Sequence, residues 1–270
     1  MVGPEVWEYA GGSVARSMRS RQILSILFEK GFATVEELVE ELQVSRMTVH
    51  RDLDELQSRG ALTKVRGGAT AARTSSFESN WHFRRKEHLE AKEAIAQRAL
   101  DYVEPGDSLV IDPSTTGHVF CQLLSEKAPL KVVTCSLPVI TDLSNVPDIE
   151  LHVIGGVYDP NFHCFMGTNA QEAAKRFRVD KIFMSTAALS GRTMFHSQER
   201  AISLDRQLFN SAREHILLCD SSKLSHTALH VFGDASEWQV IITDSNADPA
   251  ALEELRDTGP QIDIVDIDPA

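Results

Sequence analysis

The chain has 270 residues, 42% of them hydrophobic, and a formal net charge of −12. That length suits a small domain joined to a larger one. The composition excludes a bilayer span, since no stretch approaches roughly 18 uninterrupted apolar residues; the N-terminus lacks the basic start and apolar run of a signal peptide; and Cys121, Cys135, Cys164 and Cys219 stand too far apart for a zinc-knuckle or CxxC spacing. A cytoplasmic protein with reduced thiols is expected, with no membrane partner.

An acidic chain is at first sight a poor nucleic-acid binder, but the charge is uneven. Residues 16–73 hold ten Lys/Arg and eight Asp/Glu, whereas the rest holds 17 basic and 31 acidic residues. A local basic face can meet phosphate while the acidic remainder repels it.

In chain order, residues 1–17 read as a flexible tail and 18–72 as a winged helix-turn-helix. A first helix is predicted over Arg19–Lys30, with Ile23, Leu24, Ile26 and Leu27 clustered and Gly31 as its stop. A second starts at Thr34, where Thr34 and Glu37 form a capping box ahead of Val35, Leu38, Val39 and Leu42. After a turn at Val44-Ser45, Ser45 caps a third helix over Arg46–Arg59, with Val49, Leu53 and Leu56 as its inner stripe and Gly60 as its stop. Leu62–Val65 reads as a strand, Arg66-Gly67-Gly68 as a tight turn and Ala69–Ala71 as the return.

In this plan the third helix enters the major groove with its N-terminal residues toward base edges. The candidate DNA contacts are therefore Ser45, Arg46, Thr48, His50 and Arg51, with Lys64 and Arg66 of the wing on phosphate. From spacing alone, a three-helix module that binds a protein partner is the alternative. The run Val44-Ser45-Arg46-Met47-Thr48-Val49-His50-Arg51-Asp52-Leu53, followed by Leu56, Gly60, Leu62 and Val65-Arg66-Gly67-Gly68-Ala69, resembles the DeoR family signature. That family reads roughly S-x-x-T-I-R-R-D-L in the helix and His-Gly-Gly-Ala in the wing. Here His50 stands for the first arginine of the pair and Arg66 for the histidine.

Residues 73–85 read as a linker rich in Ala, Ser and Thr, with Phe77, Trp81 and Phe83 as possible docking aromatics, and 86–270 as an α/β effector-binding domain. A helix is predicted over Lys86–Tyr102. Strands at Ser108–Ile111, Lys131–Thr134, Glu150–Ile154, Lys181–Met184, His215–Cys219 and Val240–Thr243 then alternate with helices at Thr116–Leu124, Pro138–Leu143, Thr168–Phe177, Ile202–Arg213 and Pro249–Arg256. That alternation means a mostly parallel sheet covered by helices, which binds ligands beyond its strand C-termini.

The strand ends carry the candidate effector site. Asp112 suits a sugar hydroxyl; Ser114, Thr115 and Thr116 offer hydroxyls and amides ahead of a helix for a phosphate. Ser136 ends the second strand, Gly155 and Gly156 allow close backbone approach after the third, and Lys223 adds a cation after the fifth. Each cluster alone also reads as an ordinary helix cap.

The segments IDPSTTG, VVTCSLPV, VIGG, DKIFMSTAALS and LLCDSSKL resemble the sensor half of DeoR regulators. The resemblance implies a fold similar to ribose-5-phosphate isomerase and a phosphorylated sugar as effector, with the residues above lining the pocket and Gly167 adding amides. Two segments depart from the family pattern. Pro113 or Ser114 stands where a glycine is usual. Where Glu-Ala and Lys-Arg pairs are usual, the chain reads Phe195 to Ala201 and then Asp205 before Arg206, leaving Glu199 and Arg200 as possible contacts.

The expected function is a sequence-specific transcriptional regulator, a repressor of sugar metabolism, acting on a double-stranded DNA operator as a homodimer or homotetramer. A sugar-phosphate isomerase with a fused head is the alternative. It is disfavoured because Ser185-Thr186-Ala187-Ala188-Leu189-Ser190, after the Lys181–Met184 strand, offers no general base. No catalytic residue, cofactor or metal is expected, the dispersed histidines forming no HExxH motif.

Overall fold

The structure, a computed structural model, describes residues 19, 20, 22–27, 30–58, 62–71 and 81–267, the side chains of 71, 82 and 83 apart. The expected tail 1–17, Phe77, the side chain of Phe83, and Gly60 lie outside the described residues. The chain divides into two units, Met1–Arg84 and Arg85–Ala270.

In the first unit residues 22–27 are helical and Gly31, at φ +72°, donates to the Leu27 carbonyl at 2.9 Å. This is the left-handed stop that glycine adopts at least cost. Then follow β1 (Phe32–Thr34), α1 (Val35–Leu42), α2 (Arg46–Ser58), β2 (Leu62–Val65) and β3 (Gly68–Ala71). The capping box forms as expected: the Glu37 amide donates to Thr34 Oγ1 at 3.2 Å, and the Thr34 amide to Glu37 Oε2 at 2.7 Å.

The wing differs from the predicted hairpin. It is a three-stranded antiparallel sheet in the order β1-β3-β2. Phe32, Ala33 and Thr34 face Thr70, Ala69 and Gly68. Three residues are too few for alternation to show in sequence, and Thr34 serves both strand and cap. Gly68 belongs to the strand, where a Cβ would fall 2.1 Å from the Ala33 carbonyl oxygen. Ile23, Leu27, Leu38, Val49, Leu53 and Leu62 form the core of this unit.

The helix expected over Lys86–Tyr102 is in fact α3 (Trp81–Lys86), a break at Glu87-His88, α4 (Leu89–Ala99) and a 3-10 turn. His88 sits at φ +50°. Thus α3 occupies the end of the expected linker, where the buried Trp81, rather than an apolar period, marks order.

The second unit is built on seven strands, all parallel where they pair. They are β4 (Ser108–Ile111), β5 (Leu130–Thr134), β6 (Ile149–Val153), β9 (Val179–Met184), β12 (Ala212–Leu218), β14 (Val240–Asp244) and β15 (Gln261–Val265). Their order in space is β15-β14-β12-β9-β4-β5-β6. The chain runs from β4 outward through β5 and β6, then returns to β9 on the other side of β4. The winding therefore reverses between β4 and β9, the place where doubly wound sheets open a crevice.

Both faces are buried, as parallel sheets require. Leu109, Ile111, Phe183, Leu218 and Ile242 pack in one cluster with α4, α5 (Thr115–Cys121) and α6 (Leu137–Leu143). Val110, Val133, Ile182, Met184, Leu217 and Ile241 pack in another with α7 (Thr168–Ala174), α8 (Glu199–Phe209) and α9 (Pro249–Arg256).

Short antiparallel elements that the alternation did not reveal complete the unit. They are the hairpin β7 (Val157–Asp159) with β8 (Cys164–Met166), and a sheet of β10 (Ala188–Ser190), β11 (Thr193–His196) and β13 (His230–Asp234). The helix expected at Ile202–Arg213 begins and ends earlier, because Ala212 already pairs with Val179 in β12. No helix among the described residues is long and apolar enough to cross a membrane.

Candidate functional site

The head of α2 carries the first site. Ser45 Oγ accepts from the Thr48 amide at 3.2 Å and bonds Thr48 Oγ1 at 2.9 Å, so both hydroxyls serve the cap that sets the helix entry. Arg46 is exposed and pairs with Glu36 of α1 at 2.8 Å. Arg51 is exposed and His50 half-buried. Met47, 82% exposed, projects from the same turn; an apolar side chain at a helix head can meet a thymine methyl. Charge-based reasoning passes over it.

Asp52 on the opposite face is fully buried and is held by both nitrogens of an Arg19 fork, Nη2 donating to Oδ1 at 3.2 Å. This pair locks the rotation of α2 about its axis. On the wing, Lys64 Nζ pairs with Asp54 at 2.5 Å, and Arg66 is exposed at the β2–β3 turn. Four of the seven candidates, Arg46, Arg51, Lys64 and Arg66, are thus cations on the α2 head or the wing.

The second site lies at the strand C-termini of the sheet. Asp112 follows β4. Its Oδ1 accepts from the Ser114 amide at 3.2 Å and from the Ser114 hydroxyl, and its Oδ2 accepts from the Ser185 amide at 2.9 Å, after β9. The carboxylate therefore clamps the two strands that flank the winding reversal, an internal duty beyond the sugar contact expected of it. Ser114 Oγ accepts from the Gly117 amide at 2.8 Å and caps α5. Gly117 is needed there, since a Cβ would lie 2.7 Å from Asp112 Oδ1. Thr115 and Thr116 are buried and form the first two residues of α5, which therefore begins one residue earlier than expected.

After β5, Thr134 Oγ1 donates to the Ile111 carbonyl at 2.8 Å and accepts from the Ser136 amide at 3.0 Å. The Ser136 hydroxyl is fully buried with no hydrogen-bond partner among the described residues. Gly155 and Gly156 are exposed after β6; Gly156 passes so close to β8 that a Cβ would sit 2.5 Å from the Met166 carbonyl oxygen. Lys223 is half-buried beyond β12 and makes no ion pair among the described residues. Two strand spacings, roughly 10 Å, separate β12 from β4. Asp220 beside it is buried with Oδ2 unpartnered, while Asp244 Oδ2 accepts from the Ser221 amide at 2.6 Å.

Residues not assigned from sequence complete this edge. Asp205 of α8 is 9% exposed, with His196 Nε2 of β11 at 3.9 Å. Burial first, and the Asp112 carboxylate second, push its carboxyl well above the usual range. The neighbouring Cys164 thiol, and then burial, push the Cys135 thiol well above its ordinary range. Arg200 reaches Asp159 at 3.3 Å, and Glu199 is exposed. The departure from the family pattern marked this segment, but nothing in the residue order marked which position faces Asp112. His226 and His230 stand four apart, but no helix aligns them, and the described residues hold no group of three or more metal-ligating side chains.

Comparison with known proteins bears on both units. The model of the DeoR-like helix-turn-helix domain matches residues 19–75, and that of the DeoR C terminal sensor domain matches residues 87–245. The chain belongs to the DeoR family. As a DeoR regulator it joins a DNA-binding head to a sensor domain. Among DeoR relatives, the lactose phosphotransferase system repressor of Lactococcus lactis subsp. lactis is 31% identical, over 89% of this chain and 95% of its own. The L-fucose operon activator of Haemophilus influenzae is 30% identical, over 84% and 91%. D-ribose-5-phosphate isomerase in complex with phospho-erythronic acid is a remote structural neighbour of the DeoR chain, with TM-score 0.36 and 17% identity over 49% of this chain and 52% of that one.

Proposed function

We propose that this DeoR regulator represses genes of sugar uptake or breakdown, that a phosphorylated sugar controls it, and that it acts as a homodimer or homotetramer on its operator. The observation that carries the effector site is the Asp112 clamp across the winding reversal. It holds the head of α5, Ser114 to Thr116, at the crevice where ligands of such sheets bind. Amides and hydroxyls of that helix head supply directed donors for an anion in an otherwise acidic domain, and Lys223 supplies a cation. The names of the lactose and fucose relatives support a sugar-linked role.

Catalysis lacks support at this edge. After β9 the Thr186 hydroxyl is spent on the Ala188 and Phe195 carbonyls, at 3.1 and 2.9 Å. On the DNA side, Ser45, Arg46, Thr48, His50 and Arg51 read the major groove while Lys64 and Arg66 hold phosphate. One such head spans few base pairs, so two heads on a symmetric assembly are needed for useful specificity.

The test is thermal stabilisation by a panel of sugars and their phosphates. A phosphate that stabilises where its parent sugar does not, with the response reduced in Lys223→Ala and Thr115→Ala but DNA binding retained, is the expected result. Equal stabilisation by the parent sugar, or steady turnover of the phosphate, overturns it. Sedimentation at micromolar concentration showing only a 29.9 kDa monomer, with and without DNA, would overturn the oligomer.

A further inference from the structure

We infer that a second copy of this chain docks on the open edge of the large sheet, β6 pairing antiparallel with the partner's β6 about a two-fold axis at Leu151. The inference rests on the reading that the protein is a homo-oligomer, and names the surface that joins two copies.

β6 ends the seven-stranded sheet and pairs only with β5 among the described residues. The Leu130 amide donates to the Asp148 carbonyl at 3.0 Å, and the Ile154 amide to the Thr134 carbonyl at 2.8 Å. Even-numbered residues thus address β5. Backbone groups alternate in direction along a strand, so the amides and carbonyls of Ile149, Leu151 and Val153 point away from the sheet. No backbone group of the described residues meets them on that side.

Such a row is a template for another strand, and proteins guard it with Lys, Pro, a bulge or a charge. The opposite edge is guarded. The middle residue of β15 is Asp263, whose carboxylate accepts from Arg98 Nε at 2.6 Å and from the Tyr102 hydroxyl at 2.7 Å. A two-fold axis there would oppose two carboxylates. β6 reads Ile-Glu-Leu-His-Val, with neither Pro nor Lys.

The sequence of β6 complements its own copy. A two-fold axis makes the strands antiparallel, and the residue on the axis fixes the register. With Leu151 there, the whole strand overlaps and about six inter-strand hydrogen bonds form between the outward groups. Ile149 then stands opposite the partner's Val153, and Leu151 opposite the partner's Leu151. Ile149 and Leu151 already pack on the cluster under α4, α5 and α6, so pairing extends that apolar face across the axis. On the other face Glu150 stands opposite the partner's His152, an acceptor against a donor. The two side chains are matched within one chain as well, with His152 Nε2 2.8 Å from Glu150 Oε1. An axis one residue earlier would set Glu150 against the partner's Glu150, and one residue later would set His152 against the partner's His152.

Exposure agrees with this register. Val153 is 50% exposed. At the other end of the strand, Pro129, Lys131, Asp148, Ile149 and Glu150 line a hollow of about 460 Å³. The axis brings the Val153 end of each strand to the hollow end of the other.

The experiment is sedimentation velocity of the full-length protein over a dilution series from nanomolar to micromolar. Val153→Pro removes an outward amide while sparing the bonds to β5. It should weaken association about tenfold or more and halve the assembled mass at intermediate dilution. His152→Glu sets acid against acid and should act in the same direction. Exchanging the pair, Glu150→His with His152→Glu, should return association to within about threefold of wild type. Circular dichroism melts check that each variant is folded; the charge series decides even if Val153→Pro does not fold. Weakening by His152→Glu that the exchange fails to reverse overturns the Leu151 axis. An assembled wild type whose association neither single change alters overturns the β6 interface, leaves that edge to a strand of another protein, and keeps the homo-oligomer reading. A wild type that stays monomeric throughout overturns both.

Discussion

Arg19→Ala tests what holds the DNA-reading helix in place. Arg19 touches none of the proposed DNA contacts, yet its guanidinium makes two hydrogen bonds to Asp52, which has no exposed surface. Each charge-assisted bond contributes about 1.5–3 kcal/mol, and removing one partner of a buried ion pair costs about 3–5 kcal/mol. The variant should therefore lose about 3–5 kcal/mol, a large part of the stability of so small a domain. Asp52→Asn should cost less, because Arg19 retains some exposure and its freed guanidinium can reach water. Urea melts of wild type, both single variants and the double variant, followed by circular dichroism, complete the cycle. A coupling of about 2 kcal/mol, with DNA affinity falling alongside head stability, is expected. If Arg19→Ala costs under about 1 kcal/mol and coupling is near zero, the pair does not set α2.

Arg46→Ala and Arg51→Ala should each weaken binding to an operator selected from random DNA by about 1–3 kcal/mol in gel shifts. An unchanged affinity of the double variant would remove α2 as the reading helix. Lys64→Ala should weaken binding to all sequences and lower the slope of log K against log salt by about one; an unchanged slope would take Lys64 off the phosphates. Gly68→Ala should cost about 1–3 kcal/mol, since the new Cβ meets the Ala33 carbonyl of β1, and a melt equal to wild type would contradict the β1–β3 pairing. Because burial holds the Asp205 carboxyl well above its ordinary value of 3.8 when folded, the native state keeps a proton that the unfolded chain gives up, and stability falls as pH rises from that value toward the folded pKa. Asp205→Asn should therefore gain Tm over wild type as pH rises above 3.8; a constant gap would show that Asp205 is not held protonated.

The elements that local chemistry specifies were legible in the sequence. The Thr34–Glu37 box, the Ser45 cap and the Gly31 stop each act within four residues, and each forms as read. Strands buried on both faces, such as Leu109-Val110-Ile111, read as short apolar runs whatever their neighbours. Long-range pairing was not legible. β1 exists because β3 returns to it, and β13 because it meets β11 across 34 residues, with a register shift at Met194/Phe195. At the sensor edge, Asp112 and Ser114 were visible as a polar loop after a strand, but the clamp to Ser185 depends on β9 lying beside β4. Asp205 was hidden for the same reason. On its helix it is one acid beside Arg206, and only the packing of α8 against the sheet buries it near Asp112.

The most direct measurement is operator release. The protein is bound to its selected operator, sugars and their phosphates are titrated in, and anisotropy of the labelled DNA is followed. A phosphorylated sugar should dissociate the complex where its unphosphorylated parent does not, and Lys223→Ala should shift that titration to higher concentration without altering DNA affinity in its absence. Release by the parent sugar at the same concentration, or a Lys223→Ala titration that overlays the wild type, would contradict a phosphate-reading sensor at the sheet's C-terminal edge.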